Sequence, residues 1–263
     1  MISFDDAWLR LSVFIAVLVL CAVLEALFPR RQRSQQRSTR WLTNLGMVFL
    51  NSVVLRLMGP VAALSVAAYA QSQGWGLLSW LAIPSVLAVV VAMVLLDFAI
   101  YWQHVLSHKI PVLWCLHRVH HADRDIDVTT GIRFHPIEVM LSMVYKCAIV
   151  LLLGAPVIAV FLFEVLLNAS AMFNHANMRL PLWLDRLLRT AIVTPDMHRV
   201  HHSVIEKETN SNYGFCLSIW DRWFGSYIPQ PSKGHDAMTI GLQEYQHEKP
   251  ARILWCLRLP FLR

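Results

Sequence analysis

Ten of the twelve histidines fall between His104 and His202, and their spacing repeats. The chain reads His104-Val-Leu-Ser-His108, then His117-Arg-Val-His120-His121, and later His198-Arg-Val-His201-His202, so the second and third clusters are one pentapeptide used twice. On a helix, residues three and four apart share a face, and each cluster therefore turns two or three imidazoles toward one point. A lone helical histidine is most often a hydrogen-bonded core residue; three clusters at ligand spacing are a different signal. Protonated imidazoles at this density would repel, whereas neutral ones converging on cations are stabilised by each bond they make. The chemistry is metal binding. A structural zinc is satisfied by four ligands and a catalytic one by three plus water, so eight cluster histidines with His175 and His135 nearby exceed one ion and imply two. Imidazole suits zinc, copper, iron and nickel, and residue type leaves the element open. No H-E-x-x-H occurs, which argues against metalloprotease-type hydrolysis.

The elements that must carry these clusters are apolar. Of 263 residues, 56% are hydrophobic and 15% charged, and the mean hydropathy is +0.48, against about 25% charged residues in soluble domains. Disorder, collagen and a disulfide-rich scaffold are excluded by the same numbers. A run from about Trp8 to Phe28 is long enough to span a bilayer and lacks the basic start of a signal peptide, so it is expected to be a retained helix. A second run, Trp41 to about Ala70, is interrupted by Gly59-Pro60, and a third extends from Leu77 to Tyr101. After the first histidines the chain is apolar from Ile137 to Leu153, breaks at Gly154-Ala155-Pro156, and is apolar again from Val157 to Ala171, which predicts a helical hairpin, tilted or fully crossing. The tail from Ile253 to Arg263 mixes apolar residues, Trp255 and arginines and reads as interfacial. The expected fold is thus all-α: a polytopic membrane bundle of about three spans plus a helical hairpin, with a cytoplasmic helical cap around a His-rich di-metal site. Three regions follow, with N-terminal membrane helices and a basic loop over 1–75, a catalytic domain over 76–230 and a C-terminal tail over 231–263.

Charge fixes the orientation. Lys and Arg exceed Asp and Glu by six, but Arg30, Arg31, Arg33, Arg37 and Arg40 crowd one short segment between apolar runs, which reads as topology and not as a nucleic-acid footprint. With that segment cytoplasmic, the crossings that follow bring every histidine from His104 onward to the cytoplasmic side. Lys146 and Glu164 would be costly alone in lipid; each lies nine residues from Ala155, so the hairpin should set them at one depth as a pair or against a polar cavity. Cys21, Cys115, Cys147, Cys216 and Cys256 are scattered and form neither a disulfide framework nor a thiolate metal site.

The complete pattern resembles the fatty acid hydroxylase/sterol desaturase superfamily. His-x3-His, eight residues, His-x2-His-His and a distant second His-x2-His-His carry the resemblance. So do Arg133-Phe-His-Pro136, Phe173-Asn-His-Ala-Asn177, the stretch Thr194 to His202, Asn212-Tyr-Gly214 and Trp220-Asp-Arg-Trp-Phe-Gly225. It covers roughly residues 90–227. The resemblance implies an integral-membrane, non-haem di-iron oxygenase that uses dioxygen and two external electrons to hydroxylate or desaturate a lipid C–H bond, with zinc able to replace iron on purification. Carried over residue by residue, His104, His108, His117, His120, His121, His198, His201 and His202 are ligands, His175 is a ninth, and His135 is either a ligand or a residue supporting one. Asp97, Asp127, Asn177, Asn212 and Asp221 are expected to support ligand rings; the alternative is capping for Asp127 and Thr194-Pro195 and an ordinary ion pair for Asp221-Arg222. Tyr213, Trp220, Trp223, Phe224 and Tyr227 are expected to anchor the cap at the interface or to wall a lipid channel. His235 and His247 are expected to be non-ligands.

Without a haem-attachment motif or a Gly-rich cofactor fingerprint, electrons are expected from a separate ferredoxin or b-type cytochrome with its reductase, docked on a basic face. Two other readings of the residues stay open: a His-rich membrane metal carrier, disfavoured because the clusters lie outside the spans, and a zinc-dependent membrane hydrolase, disfavoured by the missing glutamate.

Overall fold

A computed structural model describes residues 4–59 and 62–262. Its described residues form helices and loops and no named strand, with three isolated bridges. In chain order the helices are α1 (Phe4–Leu27), α2 (Arg37–Leu57), α3 (Ala63–Ser72), α4 (Leu77–Trp80), α5 (Ser85–Lys109), α6 (Pro111–His121), α7 (Pro136–Leu153), α8 (Val157–His175), α9 (Leu182–Leu188), α10 (Pro195–His201), α11 (Glu206–Thr209), α12 (Ile219–Trp223), α13 (Gly234–Ala237) and α14 (Ile253–Arg258).

Four segments are long and apolar enough to cross a membrane: Trp8–Leu27, Ser85–Lys109, Pro136–Leu153 and Val157–His175. The first and the hairpin agree with the expectation. The third expected run is shifted toward the C-terminus: α4 stands apart, and the long helix begins after Pro84 and carries on through His108. The second expected span is divided. α2 ends at Leu57, Gly59 follows at φ +62°, and α3 resumes at Ala63. α2 is also not uniformly apolar, since Arg40, Thr43, Asn44 and Asn51 are buried along it and face polar partners.

The hairpin tip locates the end of the bundle far from the histidines. Gly76 rests on Gly154, where an added Cβ on Gly76 would lie 2.1 Å from the Gly154 nitrogen, so both positions need glycine. Gly154 itself closes α7 in the left-handed conformation, φ 62°. An apolar core of Ala67, Leu96, Val150, Val160 and Phe163 fills the space between α3, α5, α7 and α8. Lys146 Nζ meets Glu164 Oε1 at 2.9 Å, the pair expected from the hairpin, and Arg10 of α1 joins from the other side at 2.7 Å to Glu164 Oε2.

At the opposite end, the arginine-rich segment is built into the cap. Arg40 is fully buried and grips both oxygens of Asp123 at 2.8 Å and Asp127 at 2.6 Å. Burial by itself would raise the Asp123 pKa, but Arg40 outweighs it and holds the carboxyl well below the usual range. Arg30 pairs with Asp196 and Asp236, and Arg31 donates to the carbonyls of His235 and Met238. The tail docks on the bundle: Cys256 and Leu259 pack with Met47 of α2 and Val119 of α6, while Leu254 and Phe261 point outward.

Candidate metal centre

Three local structures deliver the histidines. α5 stops at Lys109, Ile110 leaves the helix in an extended conformation, and Pro111 opens α6 at a position where its missing N–H is no loss. His104 and His108 on the last turns of α5 therefore face His117, His120 and His121 across a one-residue corner. His175 is the last residue of α8, where Gly131 admits the helix end: a Cβ there would lie 2.3 Å from the Ala171 carbonyl oxygen. α10 carries the third cluster, started by Thr194, whose Oγ1 accepts from Met197 N at 3.3 Å and donates to Asp185 at 2.6 Å, with Pro195 next. The capping expectation for Thr194-Pro195 agrees with this geometry.

The nine imidazoles sort into two adjoining groups. His104, His108, His117, His121 and His201 form one; His120, His175, His198 and His202 form the other, and within each the ligand-capable atoms lie within 4.8 Å of one another. Both pentapeptides divide between the groups, because neighbouring positions such as His120 and His121 point to different sides of the helix. The rings of His121 and His202 stack across the boundary, 4.6 Å between centroids. In the smaller group the Nε2 atoms of His120, His198 and His202 lie 3.1, 3.0 and 3.1 Å from His175 Nε2. Nitrogens sharing one tetrahedral cation at about 2.0–2.1 Å would sit roughly 3.3 Å apart.

In the larger group three of the five rings have their outer nitrogen tied down. His104 Nδ1 donates to the Tyr213 carbonyl at 2.8 Å, His201 Nδ1 to the Ser211 carbonyl at 2.7 Å and His117 Nδ1 to Glu138 Oε1 at 2.6 Å. A carbonyl or carboxylate oxygen only accepts, so Nδ1 holds the proton and Nε2 presents a lone pair. Those three Nε2 atoms, and both ring nitrogens of His108 and His121, are buried without a partner. Burial pushes the pKa values of His120, His121, His198 and His202 well below the usual imidazole range, reinforced by neighbouring imidazoles, and lowers that of His201 to about 3. Neutral, buried, converging and unpartnered nitrogens fit metal ions as they fit no other ligand.

His135 is outside both groups. It caps α7, with Nδ1 accepting from Ile137 N at 3.2 Å and Nε2 facing the Leu257 carbonyl at 3.3 Å. His235 and His247 are outside them too; His235 is buried beside Asp196, with its pKa lowered to about 4 mainly by burial, and His247 is exposed.

The five polar residues expected to support ligand rings make no hydrogen bond to one among the described residues; Asp221 and Asn212 brace the loops whose carbonyls do, and the other three hold neighbouring backbone. Asp221 accepts from Tyr213 N and Gly214 N, both at 2.8 Å, and so fixes the carbonyl that meets His104. Asn212, at φ 49°, donates to Met197 O and Ile228 O beside the Ser211 carbonyl. Asp97 accepts from Cys216 N, Leu217 N and Trp220 Nε1. Asp127 caps the turn at Thr129 and pairs with Arg40; Asn177 joins the Arg31 backbone. Of the aromatic residues, Tyr213 and Trp220 are buried, whereas Trp223 and Phe224 are exposed. In the sequence Glu138 reads as an ordinary acid in the first turn of a helix. Its place two residues after Arg133-Phe-His-Pro136 is the available signal.

A cavity of about 540 Å³ lies beside the larger group, lined by His104, His117 and Glu138 and by the apolar Phe14, Val48, Leu55 and Leu167. Its wall residues Leu11 and Ser52 are exposed on the flanks of α1 and α2.

Fold and site together define a helical protein with four helices long and apolar enough to cross a membrane, and a largely apolar cavity beside two adjoining groups of buried histidines suited to metal ions. Residues 89–226 match the fatty acid hydroxylase family, and the chain belongs to that family. It is 29% identical over 240 residues to an ornithine lipid hydroxylase of Rhizobium tropici, covering 86% of this chain and 70% of that protein. An alkylglycerol monooxygenase of Xenopus tropicalis is 30% identical over 152 residues, 57% of this chain and 32% of its own. A Delta(7)-sterol-C5(6)-desaturase of Nicotiana tabacum is 26% identical over 206 residues, 72% of this chain and 69% of its own. No solved structure is significantly similar.

Proposed function

We infer that this chain is a membrane oxidoreductase that hydroxylates or desaturates a lipid at two iron ions. His104, His108, His117, His121 and His201 would hold one ion, and His120, His175, His198 and His202 the other. The observation that carries this reading is the convergence of nine buried imidazoles in two adjoining groups beside a largely apolar cavity. The relatives' names, which include a hydroxylase, a monooxygenase and a desaturase, each acting on a lipid, support the reaction class.

Bound iron supplies the activation of dioxygen. The protein positions and shields. Glu138, Tyr213 and Ser211 fix three rings in the tautomer that leaves Nε2 free. Phe14, Val48, Leu55 and Leu167 offer an alkyl chain an apolar wall and keep bulk water from the histidines. Exposed Leu11 and Ser52 at the rim suit entry from within the bilayer. Hydroxylation places one atom of dioxygen in a C–H bond and reduces the other to water with two electrons and two protons; desaturation takes two hydrogens from adjacent carbons and, with the same two electrons and two protons, reduces both oxygen atoms to water. The electrons come from a separate ferredoxin or b-type cytochrome system, and the density of arginines over 30–40 supports a cytoplasmic histidine end under the positive-inside rule. A metal-carrier reading has no line of ligands through the spans among the described residues.

The test compares lipid extracts of cells expressing the chain or its His202→Ala variant by mass spectrometry. A lipid gaining one oxygen, or losing two hydrogens, only with the unaltered chain supports the reading. Identical lipid profiles together with intact metal content would contradict it.

A further inference from the structure

The lining of the cavity is not purely apolar. Arg10 of α1 lines it, beside Asn168. Arg10 Nη1 donates to Glu164 Oε2 at 2.7 Å, and Glu164 Oε1 accepts from Lys146 Nζ at 2.9 Å, so one carboxylate serves two cations. All three residues lie on helices apolar enough to span a membrane. Among the described residues Glu164 is the one acid within ion-pair reach of either cation, and the trio carries an excess positive charge where lipid would make it costly. Arg10 is also unsaturated: Nε and Nη2 are buried and have no hydrogen-bond partner. Phe161 lies under the guanidinium, 4.8 Å from its carbon to the ring centroid, and with Glu164 fixes its position.

Nε and Nη2 form the side of a guanidinium that takes two oxygens at once. This chain already uses that side so: Arg40 Nε and Nη2 hold the two oxygens of Asp123, each at 2.8 Å. We propose that Arg10 is the binding site for an oxyanion, carboxylate or phosphate, carried by an alkyl-chain substrate whose other end reaches the histidine groups. This rests on the lipid-oxidising reading of the same cavity. Eleven residues of α8 separate Glu164 from His175, a rise of roughly 16 Å, so the charged group and the oxidised carbon are a chain's length apart and not adjacent.

Binding to the full chain, purified in a neutral detergent with its metal, tests this directly, using palmitate, hexadecyl phosphate, hexadecanol and inorganic phosphate as probes. Palmitate or hexadecyl phosphate, whichever head the site takes, binds about tenfold or more tightly than hexadecanol. Inorganic phosphate does not displace it, because the chain is needed to fill the cavity. Arg10→Gln removes the preference while metal content stays unchanged, and Arg10→Lys keeps part of it. Hexadecanol binding as tightly as both anions to the unaltered chain would overturn the proposal without any variant, as would an Arg10→Gln protein that keeps its metal and the preference. Displacement by inorganic phosphate alone would reduce the site to an adventitious ion site and overturn it too. These are binding readouts, so failure of the oxidation test above leaves them legible, and their failure leaves that test standing.

Discussion

Glu138 Oε1 lies 2.6 Å from Nδ1 of His117, and among the described residues it is the one carboxylate hydrogen-bonded to a ring of the nine-histidine cluster. Three other outer nitrogens of the cluster, on His104, His175 and His201, meet backbone carbonyls instead. A carboxylate strengthens a ligand's basicity more than a carbonyl does and orients its ring. Glu138→Ala should therefore weaken metal retention about 10–100-fold, and Glu138→Gln, which still accepts through its amide oxygen, much less. Metal remaining after dialysis against graded chelator reads this; equal retention in both variants would assign Glu138 no part in holding His117.

The two groups make separable stoichiometric predictions. His201→Ala removes a member of the five-histidine group and His202→Ala one of the four-histidine group. Each variant should lose mainly one metal equivalent and keep its helical circular dichroism. The four-histidine site has no spare ring, so His202→Ala should strip its ion more completely than His201→Ala strips the other. Equal and total loss in both would mean that the groups do not bind independently.

Acid should release the metal and weaken the fold together. The folded pKa of His201 is lowered to about 3, against about 6.5 for an unfolded imidazole, and those of His121 and His202 are lowered too. Between these values the unfolded chain binds more protons than the folded one, so this stability is complete above about pH 6.5 and is lost as pH falls toward 3. Metal-bound protein resists longer, because protons must displace the ions. Metal content and circular dichroism followed from pH 7.5 downward check the sign; stability rising on acidification would contradict it.

The Arg40 network should matter to folding more than to chemistry. Arg40 is fully buried between Asp123 and Asp127, and its removal leaves two buried carboxylates uncompensated. Arg40→Ala should cost about 3–5 kcal/mol, enough to remove most folded protein. Folded yield in detergent and thermal midpoint measure it, with Arg56→Ala on the same helix as the control expected to change little.

The histidine clusters are legible in the sequence because ligand spacing is a local property: three and four residues on one helix face. Which histidines converge in one group is not legible, since His120 and His121 part company only when α6, α8 and α10 come together. The apolar hairpin and the Lys146–Glu164 pair could be read from hydropathy and from symmetry about Ala155. Arg10 could not, because nothing within α1 signals a partner on α8. The ring partners proved elusive for another reason. Tyr213 and Ser211 contribute carbonyls, which every residue has, so residue type pointed to Asp221 and Asn212, which hold those loops one step further out. Arg40 read as a topology signal, and its burial depends on Asp123 lying 83 positions along the chain.

The count and identity of bound metal test the central claim most directly. Freshly purified chain, reconstituted anaerobically with ferrous iron, would be measured by plasma mass spectrometry and iron Mössbauer spectroscopy. The nine-histidine arrangement predicts about two irons per chain, both high-spin with nitrogen ligation, in two distinguishable environments. Folded protein that binds no iron, or only one, would contradict the two-site account.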